Sequence, residues 1–311
     1  MSYHVGYRDV HNPFEGRVWY PAPLTAKEGP IPTARLFTSQ QGAKDAPVIS
    51  HPQKLPLLLL SHGSGGTFDR LDWMADFFAR RGWIVAAFNH PGNTRENNSV
   101  EGLVRVWRRA EQLSAFLTVL LDRDPLRESI DRERIVAAGH SAGGATVLLL
   151  AGTRLSYERF QNPIPFCAPR PREFDDEHCA ELRQYNFRQH SKNEIERSYR
   201  DTRVRAVVAL DPAFGNSFRP EEEQKLLAPT LFVFAKHRKD PSGAIFTKTF
   251  QHLFPRHLSV TVPGAIHISF VSSCSVFGLR IAAPICLGDE KRDEIHERTN
   301  HEVEQFLHGW K

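Results

Sequence analysis

The chain has 311 residues, and its 41% hydrophobic and 24% charged composition is typical of a globular protein with a sizeable core. Forty Lys and Arg against 36 Asp and Glu give a formal net charge of +4 without a dense basic block, which argues against nucleic acid as a partner. No apolar run approaches the roughly 18 residues that a membrane-spanning helix requires, and residues 1–10 lack the basic start and apolar stretch of a signal peptide.

The apolar pattern predicts strands that alternate with helices along most of the chain. Residues 1–54 are rich in Pro and Gly and contain one short strand-like stretch, RVWYPA at 17–22. Strands with their following loops are predicted at 55–66, 83–93, 133–141, 204–215, 229–236 and 257–270. Helices are predicted at 72–82, 99–124, 142–152, between 236 and 254, and at 289–310. Continuously apolar strands between helices predict an α/β fold, in which a mostly parallel central sheet carries helices on both faces.

One segment interrupts this alternation. Residues 153–203 are highly charged and show no clear strand. We interpret them as an inserted cap or lid segment within a single domain that spans residues 1–311. The alternative interpretation is a surface excursion without a role of its own.

The four cysteines fall into two local pairs. Cys167 pairs in sequence with Cys179, and Cys274 with Cys286, each at a separation of 12 positions. This spacing is compatible with two disulfides that each close a short loop, and equally with four reduced thiols. No spacing of Cys and His residues suggests a zinc site.

The sequence Gly139-His140-Ser141-Ala142-Gly143 lies between a predicted strand and a predicted helix. This context is that of the nucleophile elbow, a sharp turn that projects the serine oxygen above the sheet. Glycine is expected at 139 and 143 because side chains there would clash with the backbones of the strand and the helix. The pattern therefore predicts that Ser141 is a catalytic nucleophile.

A serine nucleophile needs a general base and a carboxylate that orients the base. The best-placed histidine is His267, in the loop after the last predicted strand. Other histidines lie inside the glycine motifs, at the start of a strand or on the terminal helix: His62, His140, His257, His296, His301 and His308. Two acids satisfy the chain order Ser, Asp, His, namely Asp211 and Asp240. We favour Asp211 because it follows its strand directly, so that the sheet fixes its direction.

Acyl transfer also needs donors for the oxyanion that develops in the transition state. The helix after Ser141 begins with free backbone N–H groups, and the N–H of Ala142 is one candidate donor. A second donor is expected from the loop after an earlier strand. The motif LLLLSHGSGG places the backbone N–H of Ser64 in such a loop.

A resemblance to a known family rests on five motifs, which in chain order are SHGSGG, GWIVAAFNHPGN, DRERIVAAGHSAGGATV, VVALDPAFG and PGAIHISF. Together they resemble the plasma-type platelet-activating-factor acetylhydrolases and their bacterial relatives, usually labelled dienelactone hydrolases. The resemblance implies the α/β-hydrolase fold, with a triad of Ser141, His267 and Asp211. It also implies that Ser64 and Ala142 supply the oxyanion donors. True dienelactone hydrolases use a cysteine nucleophile, so Ser141 argues against that literal activity.

The same resemblance bears on the cysteines and on the location of the protein. Bacterial members of the group often carry cysteines in the insertion and after the catalytic histidine, and many look exported. The positions of Cys167, Cys179, Cys274 and Cys286 match that pattern. The resemblance therefore implies two disulfides and a periplasmic or secreted location, with a cytoplasmic location as the alternative.

Together these residues predict a serine hydrolase that acts on short-chain acyl esters or lipid-like esters. The reaction would pass through an acyl-enzyme intermediate and would require neither a metal nor an organic cofactor. An amidase, a thioesterase or a polyester hydrolase would use the same triad, and a catalytically silent binding protein of the same fold is a further alternative. The sequence leaves the natural alcohol and the oligomeric state open.

Overall fold

The structure, a computed structural model, describes residues 2–161, 184–219, 226–236, 241–281, 284–286 and 288–309. Within these residues the strands are β1 (His4–Val10), β2 (Gly16–Ala22), β3 (Gly29–Pro30), β4 (Gln41–Lys44), β5 (Leu55–Ser61), β6 (Ile84–Phe88), β7 (Ile130–His140), β8 (Ala206–Leu210), β9 (Thr230–Ala235) and β10 (Leu258–Val262). They form one sheet in the order β10-β9-β8-β7-β5-β6-β2-β1-β4-β3. Strands β5 to β10 run parallel to one another, and β2 is antiparallel to both of its neighbours.

Helices cover both faces of the sheet. In the described part of the chain they are α1 (Asp72–Ala79), α2 (Val100–Val104), α3 (Val106–Asp122), α4 (Ala142–Leu150), α5 (Tyr157–Phe160), α6 (Lys192–Glu196), α7 (Pro241–Leu253), α8 (Val276–Arg280) and α9 (Arg292–Gly309). Buried side chains of α3, α4 and α7 join one core cluster, and those of α1 and α9 join the other. The prediction of a mostly parallel sheet between two layers of helices is therefore confirmed.

The central strands contain continuous apolar runs because both of their faces are buried there. In β5, Leu57 and Leu59 belong to the cluster under α3 and α4, whereas Leu58 and Leu60 belong to the cluster under α1 and α9. Successive side chains of a strand point to opposite faces, so a continuous leucine run serves both cores. Burial of each such side chain contributes about 1.5–3 kcal/mol, which makes β5 a strong anchor for the loop that follows it.

The amino-terminal region contains more strands than the sequence pattern predicted. Besides β2, which includes the expected RVWYPA stretch, residues before 54 form β1, β3 and β4. Polar residues obscured β1: Asp9 on this strand accepts a hydrogen bond from Arg17 of β2, with an Oδ1–Nε distance of 2.7 Å. Charged residues in a sequence suggest a loop, but here a cross-strand pair stabilises the charge within the sheet.

The helical pattern predicted over 99–124 forms two helices. The break lies at Arg105, whose ψ of 57° leaves the helical region between α2 and α3. Ser99 caps α2 by accepting a hydrogen bond from Gly102 N–H at 3.0 Å. Helix α3 ends at Asp122, ahead of Pro125 as predicted.

The described parts of the segment 153–203 pack into the main core. The cluster that contains α3 also buries Phe160 of α5, Ile195 of α6 and Phe187, which precedes α6. The Trp107 ring of α3 contacts the Phe160 ring with centroids 5.1 Å apart. Residues 162–183 lie outside the described residues, and the cap or lid role of this segment stays a prediction.

One predicted cysteine pair lies in the described part of the chain and is bonded. Cys274 and Cys286 form a disulfide with an S–S distance of 2.02 Å. Cys167 and Cys179 lie outside the described residues, so their pairing stays a prediction. None of the helices in the described ranges combines the length and apolar character needed to cross a bilayer.

The order in which the chain adds strands to the sheet reverses between β5 and β7. From β5 it continues to β6 on one side, and it then returns to β7 on the other side before adding β8, β9 and β10. In open parallel sheets a crevice forms at the carboxyl ends of the strands where the order reverses, and ligands bind there. The loops after β5 and β7 lie at this position.

Candidate active site

Ser141 occupies a sharp turn between β7 and α4. Its φ of +56° is unusual for a residue with a side chain, and this conformation projects the side chain away from the regular strand. The flanking glycines allow close packing: a Cβ at Gly139 would lie 2.3 Å from the Gly143 carbonyl oxygen. A Cβ at Gly143 would lie 1.9 Å from the Ser61 carbonyl oxygen. The local sequence thus fits the geometry of the elbow at each of these positions.

Asp211 follows β8 directly and is completely buried. Its backbone N–H donates to the Val233 carbonyl at 2.7 Å, and its Oδ1 accepts from the Ala235 N–H at 3.2 Å. Both partners belong to β9, so the neighbouring strand holds the carboxylate at the edge of the sheet. Asp240, the alternative acid, lies outside the described residues.

His267 lies between Asp211 and Ser141, at the start of a short 3-10 helix after β10. Its Nδ1–H donates to Asp211 Oδ2 at 2.6 Å, and its Nε2 lies 3.0 Å from Ser141 Oγ. The first bond places the imidazole proton on Nδ1, so Nε2 is free to accept a proton from the serine hydroxyl. The imidazole is 26% exposed, which leaves it accessible from the crevice.

The structure thus brings together three predicted residues that are far apart in the chain. Ser141 and His267 are 126 positions apart, and His267 and Asp211 are 56 positions apart. Their separations are those of hydrogen bonds in one continuous line from carboxylate to hydroxyl. This arrangement can activate a hydroxyl as a nucleophile without a metal ion.

The two predicted oxyanion donors lie beside Ser141. Ala142 is the first residue of α4, whose N-terminal N–H groups have no partner within the helix. Ser64 lies in the loop after β5, and the preceding residue is close to Ser141: a Cβ at Gly63 would lie 3.3 Å from Ser141 Cβ. The N–H groups of Ser64 and Ala142 donate to no other group of the described residues.

His140 supports the loop of His267 from within the elbow motif. Its Nε2–H donates to the backbone carbonyl of His267 at 2.9 Å, and the two rings are 4.6 Å apart. Burial, together with the smaller effect of the neighbouring His267, lowers the pKa of His140 to about 3. His140 is therefore a neutral donor near neutral pH. The sequence singled out this residue only as part of the glycine motif.

Two further residues, which the sequence did not identify as part of the site, hold the His267 loop from α1 and α9. The Trp73 indole donates to the Phe270 carbonyl at 3.2 Å, and His296 Nε2–H donates to the carbonyls of Ser269 and Val271 at 2.9 and 3.0 Å. The rings of Trp73 and His296 stack with centroids 4.0 Å apart. One signal was present in the sequence: His296 lies on the buried stripe of α9, next to Ile295.

The comparison with known families identifies the class of the protein. The Alpha/beta hydrolase family matches residues 57–274, and the chain belongs to that family. This span contains each residue of the line from Asp211 to Ser141 as well as the loop after β5. The prediction of an α/β-hydrolase fold is confirmed.

Individual proteins match this chain at low identity and over only part of its length. Cutinase est1 of Thermobifida alba is 28% identical over 42% of this chain and 44% of that protein. The platelet-activating factor acetylhydrolase of Bos taurus is 27% identical over 31% of this chain and 32% of that protein. The match therefore spans less than half the length of each of these relatives. The narrower assignment to the acetylhydrolase and dienelactone hydrolase group stays a prediction.

A solved structure extends the likeness of fold over the whole chain. The ferulic acid esterase from Streptomyces cinnamoneus has a TM-score of 0.61 at 18% identity, over 98% of this chain and 89% of that chain. At this level of identity the superposition concerns the fold alone.

Proposed function

We propose that the chain is a serine hydrolase of carboxylic esters with Ser141 as nucleophile, His267 as general base and Asp211 as the orienting acid. The observation that carries this proposal is the continuous line of hydrogen bonds from Asp211 Oδ2 to His267 Nδ1 and from His267 Nε2 to Ser141 Oγ, at 2.6 and 3.0 Å. The names of the relatives, a cutinase, an acetylhydrolase and an esterase, support an ester as the substrate.

The reaction proceeds in two halves. Ser141 Oγ attacks the acyl carbonyl while His267 Nε2 takes the hydroxyl proton, and the oxyanion accepts hydrogen bonds from the N–H groups of Ser64 and Ala142. His267 then donates that proton to the alkoxide leaving group, and the acyl-enzyme forms. Water, activated by the same imidazole, attacks the acyl-enzyme, and the proton returns to Ser141 as the carboxylic acid leaves. Asp211 stabilises the imidazolium in both halves.

The resemblance of the motifs to plasma-type acetylhydrolases supports short-chain acyl or lipid-like esters as the substrate class. The serine at 141 weighs against lactone hydrolysis by the cysteine chemistry of true dienelactone hydrolases. A panel of p-nitrophenyl esters of graded acyl length, with a phospholipid and a lactone included, measures this preference. A highest kcat/KM for the shortest acyl groups is the expected result, and a preference for the lactone would contradict it.

A periplasmic or secreted location is part of the proposal. The disulfide between Cys274 and Cys286 supports it, because disulfides persist mainly in oxidising compartments.

The decisive variant is Ser141→Ala. Removal of the nucleophile is expected to lower kcat on a short-chain p-nitrophenyl ester by about 10⁵–10⁶-fold and to abolish labelling by a fluorophosphonate probe. Ser259→Ala, at an exposed position of β10, is the matched control and is expected to keep the activity and labelling of the parent. Activity or labelling that survives Ser141→Ala would contradict the proposed mechanism.

A further inference from the structure

We propose that His62 is a positioning residue of the oxyanion hole, and that its side chain, supported by Arg109, turns the N–H of Ser64 toward Ser141. This inference rests on the proposed function, because an oxyanion hole is needed only if Ser141 attacks an acyl carbonyl. It concerns the donor that lies in a glycine-rich loop, where the local chain does little to fix the direction of a peptide group.

The hydrogen bonds of His62 fix its tautomer. The side chain is buried, and its Nε2 accepts from the backbone N–H of His90 at 3.1 Å. The imidazole proton must therefore lie on Nδ1, which donates to the carbonyl oxygen of Gly63 at 2.7 Å. Burial, followed by the charge of Arg109, lowers the pKa of His62 to about 3. Near neutral pH, His62 is therefore uncharged, and its Nδ1–H donates only toward the Gly63 carbonyl.

The carbonyl of Gly63 and the N–H of Ser64 belong to one peptide group, and in a trans peptide these two bonds point in opposite directions. The Gly63 carbonyl also accepts from the Gly66 N–H at 3.1 Å. Rotation of this peptide would break both hydrogen bonds to the carbonyl. As long as they hold, the N–H of Ser64 points away from His62, on the side where it can meet an oxyanion bound at Ser141.

Arg109 holds the preceding peptide. This residue of α3 is 2% exposed, and its guanidinium donates to the carbonyl of His62, to Asn93 Oδ1 at 2.5 Å and to Thr146 Oγ1 at 3.2 Å. Thr146 belongs to α4, so Arg109 connects the loop to the helix that follows Ser141. None of the acceptors that the described residues offer to Arg109 is a carboxylate.

The charge of Arg109 persists in this buried position. Burial lowers its pKa to about 9, so the guanidinium is still a cation at neutral pH. An uncompensated buried charge is unfavourable for stability, and its field favours negative charge that develops nearby. A buried cation that lowers the stability of the fold, yet favours negative charge nearby, is what a supporting residue of the oxyanion hole would be.

A matched pair of variants tests the role of His62. In His62→Asn the amide nitrogen replaces Nδ1 and can still donate to the Gly63 carbonyl. In His62→Gln the amide reaches the position of Nε2, keeps the contact with the His90 N–H and loses that donor. We expect His62→Gln to lower kcat by about 10²–10³-fold with KM nearly unchanged, and His62→Asn to stay within about tenfold of the parent.

Two further readouts separate positioning from a loss of folding. Each kcat is expressed per Ser141 titrated with a fluorophosphonate, so unfolded molecules do not count. A trifluoromethyl ketone forms a hemiketal with Ser141 Oγ, whose oxyanion lies in the hole while His267 holds the serine proton. It is expected to bind His62→Gln more weakly by the same factor as kcat/KM falls. Equal kcat values for the Asn and Gln variants, or a loss confined to KM, would overturn the inference.

Arg109→Gln gives an independent measurement if His62→Gln does not fold. This change removes the charge and most donors to the His62 carbonyl, and kcat per titrated site is expected to fall at least about tenfold. An unchanged kcat would overturn the part assigned to Arg109 and His62. Activity that survives Ser141→Ala would instead refute the proposed function, so the two failures are distinguishable.

Discussion

Asp211 combines complete burial with a backbone conformation that is rare outside glycine. Its φ is +40°, and the strand β9 supplies hydrogen bonds both to its backbone and to its carboxylate. Such strain persists only where the surrounding structure over-determines the residue. The strain at Asp211 and at Ser141, which has a φ of +56°, lies at the two ends of the same line of hydrogen bonds.

We expect Asp211→Asn to lower kcat by about 10³–10⁴-fold. The amide nitrogen of the new side chain would donate to His267 Nδ1, which moves the imidazole proton to Nε2 and removes the acceptor for the Ser141 hydroxyl. Steady-state kinetics on a p-nitrophenyl ester measures this effect, and the variant should stay folded because the side-chain volume is conserved.

Asp240→Asn is the informative control for the acid. The sequence left Asp240 as the alternative member of the triad, and the favoured assignment predicts that its replacement leaves kcat close to that of the parent. A large loss in Asp240→Asn together with near-normal activity in Asp211→Asn would reverse the assignment of the acid.

At the scale of elements, the position of His267 depends on two helices that contribute no residue to the line from Asp211 to Ser141. Trp73 of α1 and His296 of α9 donate to three backbone carbonyls of the loop that begins at His267. Ser272 in the same loop donates to Asp72 Oδ1 at 2.7 Å, at the start of α1. The histidine loop is therefore fixed by packing against the face of the sheet that α1 and α9 cover.

The Asp72 carboxyl gives this contact a pH dependence. Burial raises the pKa of Asp72 from its ordinary value to about 7, against the opposing effect of the Ser272 hydrogen bond. Asp69 and Arg70 are the charged neighbours that act on it. Because the folded-state pKa lies above the unfolded-state value, this group stabilises the fold fully below pH 4, and that contribution declines as the pH rises to 7.

We expect Asp72→Asn to remove this part of the pH dependence of the free energy of unfolding. Relative to the parent, the variant should gain stability as the pH is raised from 5 to 8, because it cannot ionise. Urea unfolding at the two pH values measures the difference. A difference between variant and parent that is the same at both would contradict the assignment to Asp72.

At the scale of the whole molecule, the disulfide closes the segment between the histidine loop and the terminal helix. Cys274 and Cys286 are 12 positions apart, and this loop contains α8. Closing a loop of this size constrains the unfolded chain and is worth on the order of 3 kcal/mol.

The double variant Cys274→Ser/Cys286→Ser is expected to lower the free energy of unfolding by about 2–4 kcal/mol. Chemical unfolding with and without a reductant checks this, since the reductant should lower the stability of the parent more than that of the variant, which keeps only the predicted pair of Cys167 and Cys179. Mass mapping of the unreduced protein also tests the predicted pair of Cys167 and Cys179. A parent whose stability is insensitive to the reductant would contradict a stabilising role.

The features that could be read from the sequence are local ones. The elbow around Ser141 is encoded in five consecutive residues, and the leucine run of β5 predicts a strand buried on both faces. By contrast, β1 was missed because its charged residues find partners only in the folded chain, Asp9 with Arg17 of β2 and Arg8 with Asp124. The break at Arg105 was missed because the amphipathic pattern continues across it.

The sequence by itself determined the class of fold and indicated the candidate site residues and their order along the chain, because short-range patterns of apolar and glycine residues encode strands, helices and turns. Only the tertiary structure decided which buried polar groups support the site. His62, Arg109, Trp73 and His296 act through partners as far as 197 positions away in the chain. Whether a histidine in such a chain is a general base, a neutral donor or a core residue depends on neighbours that only folding brings into contact.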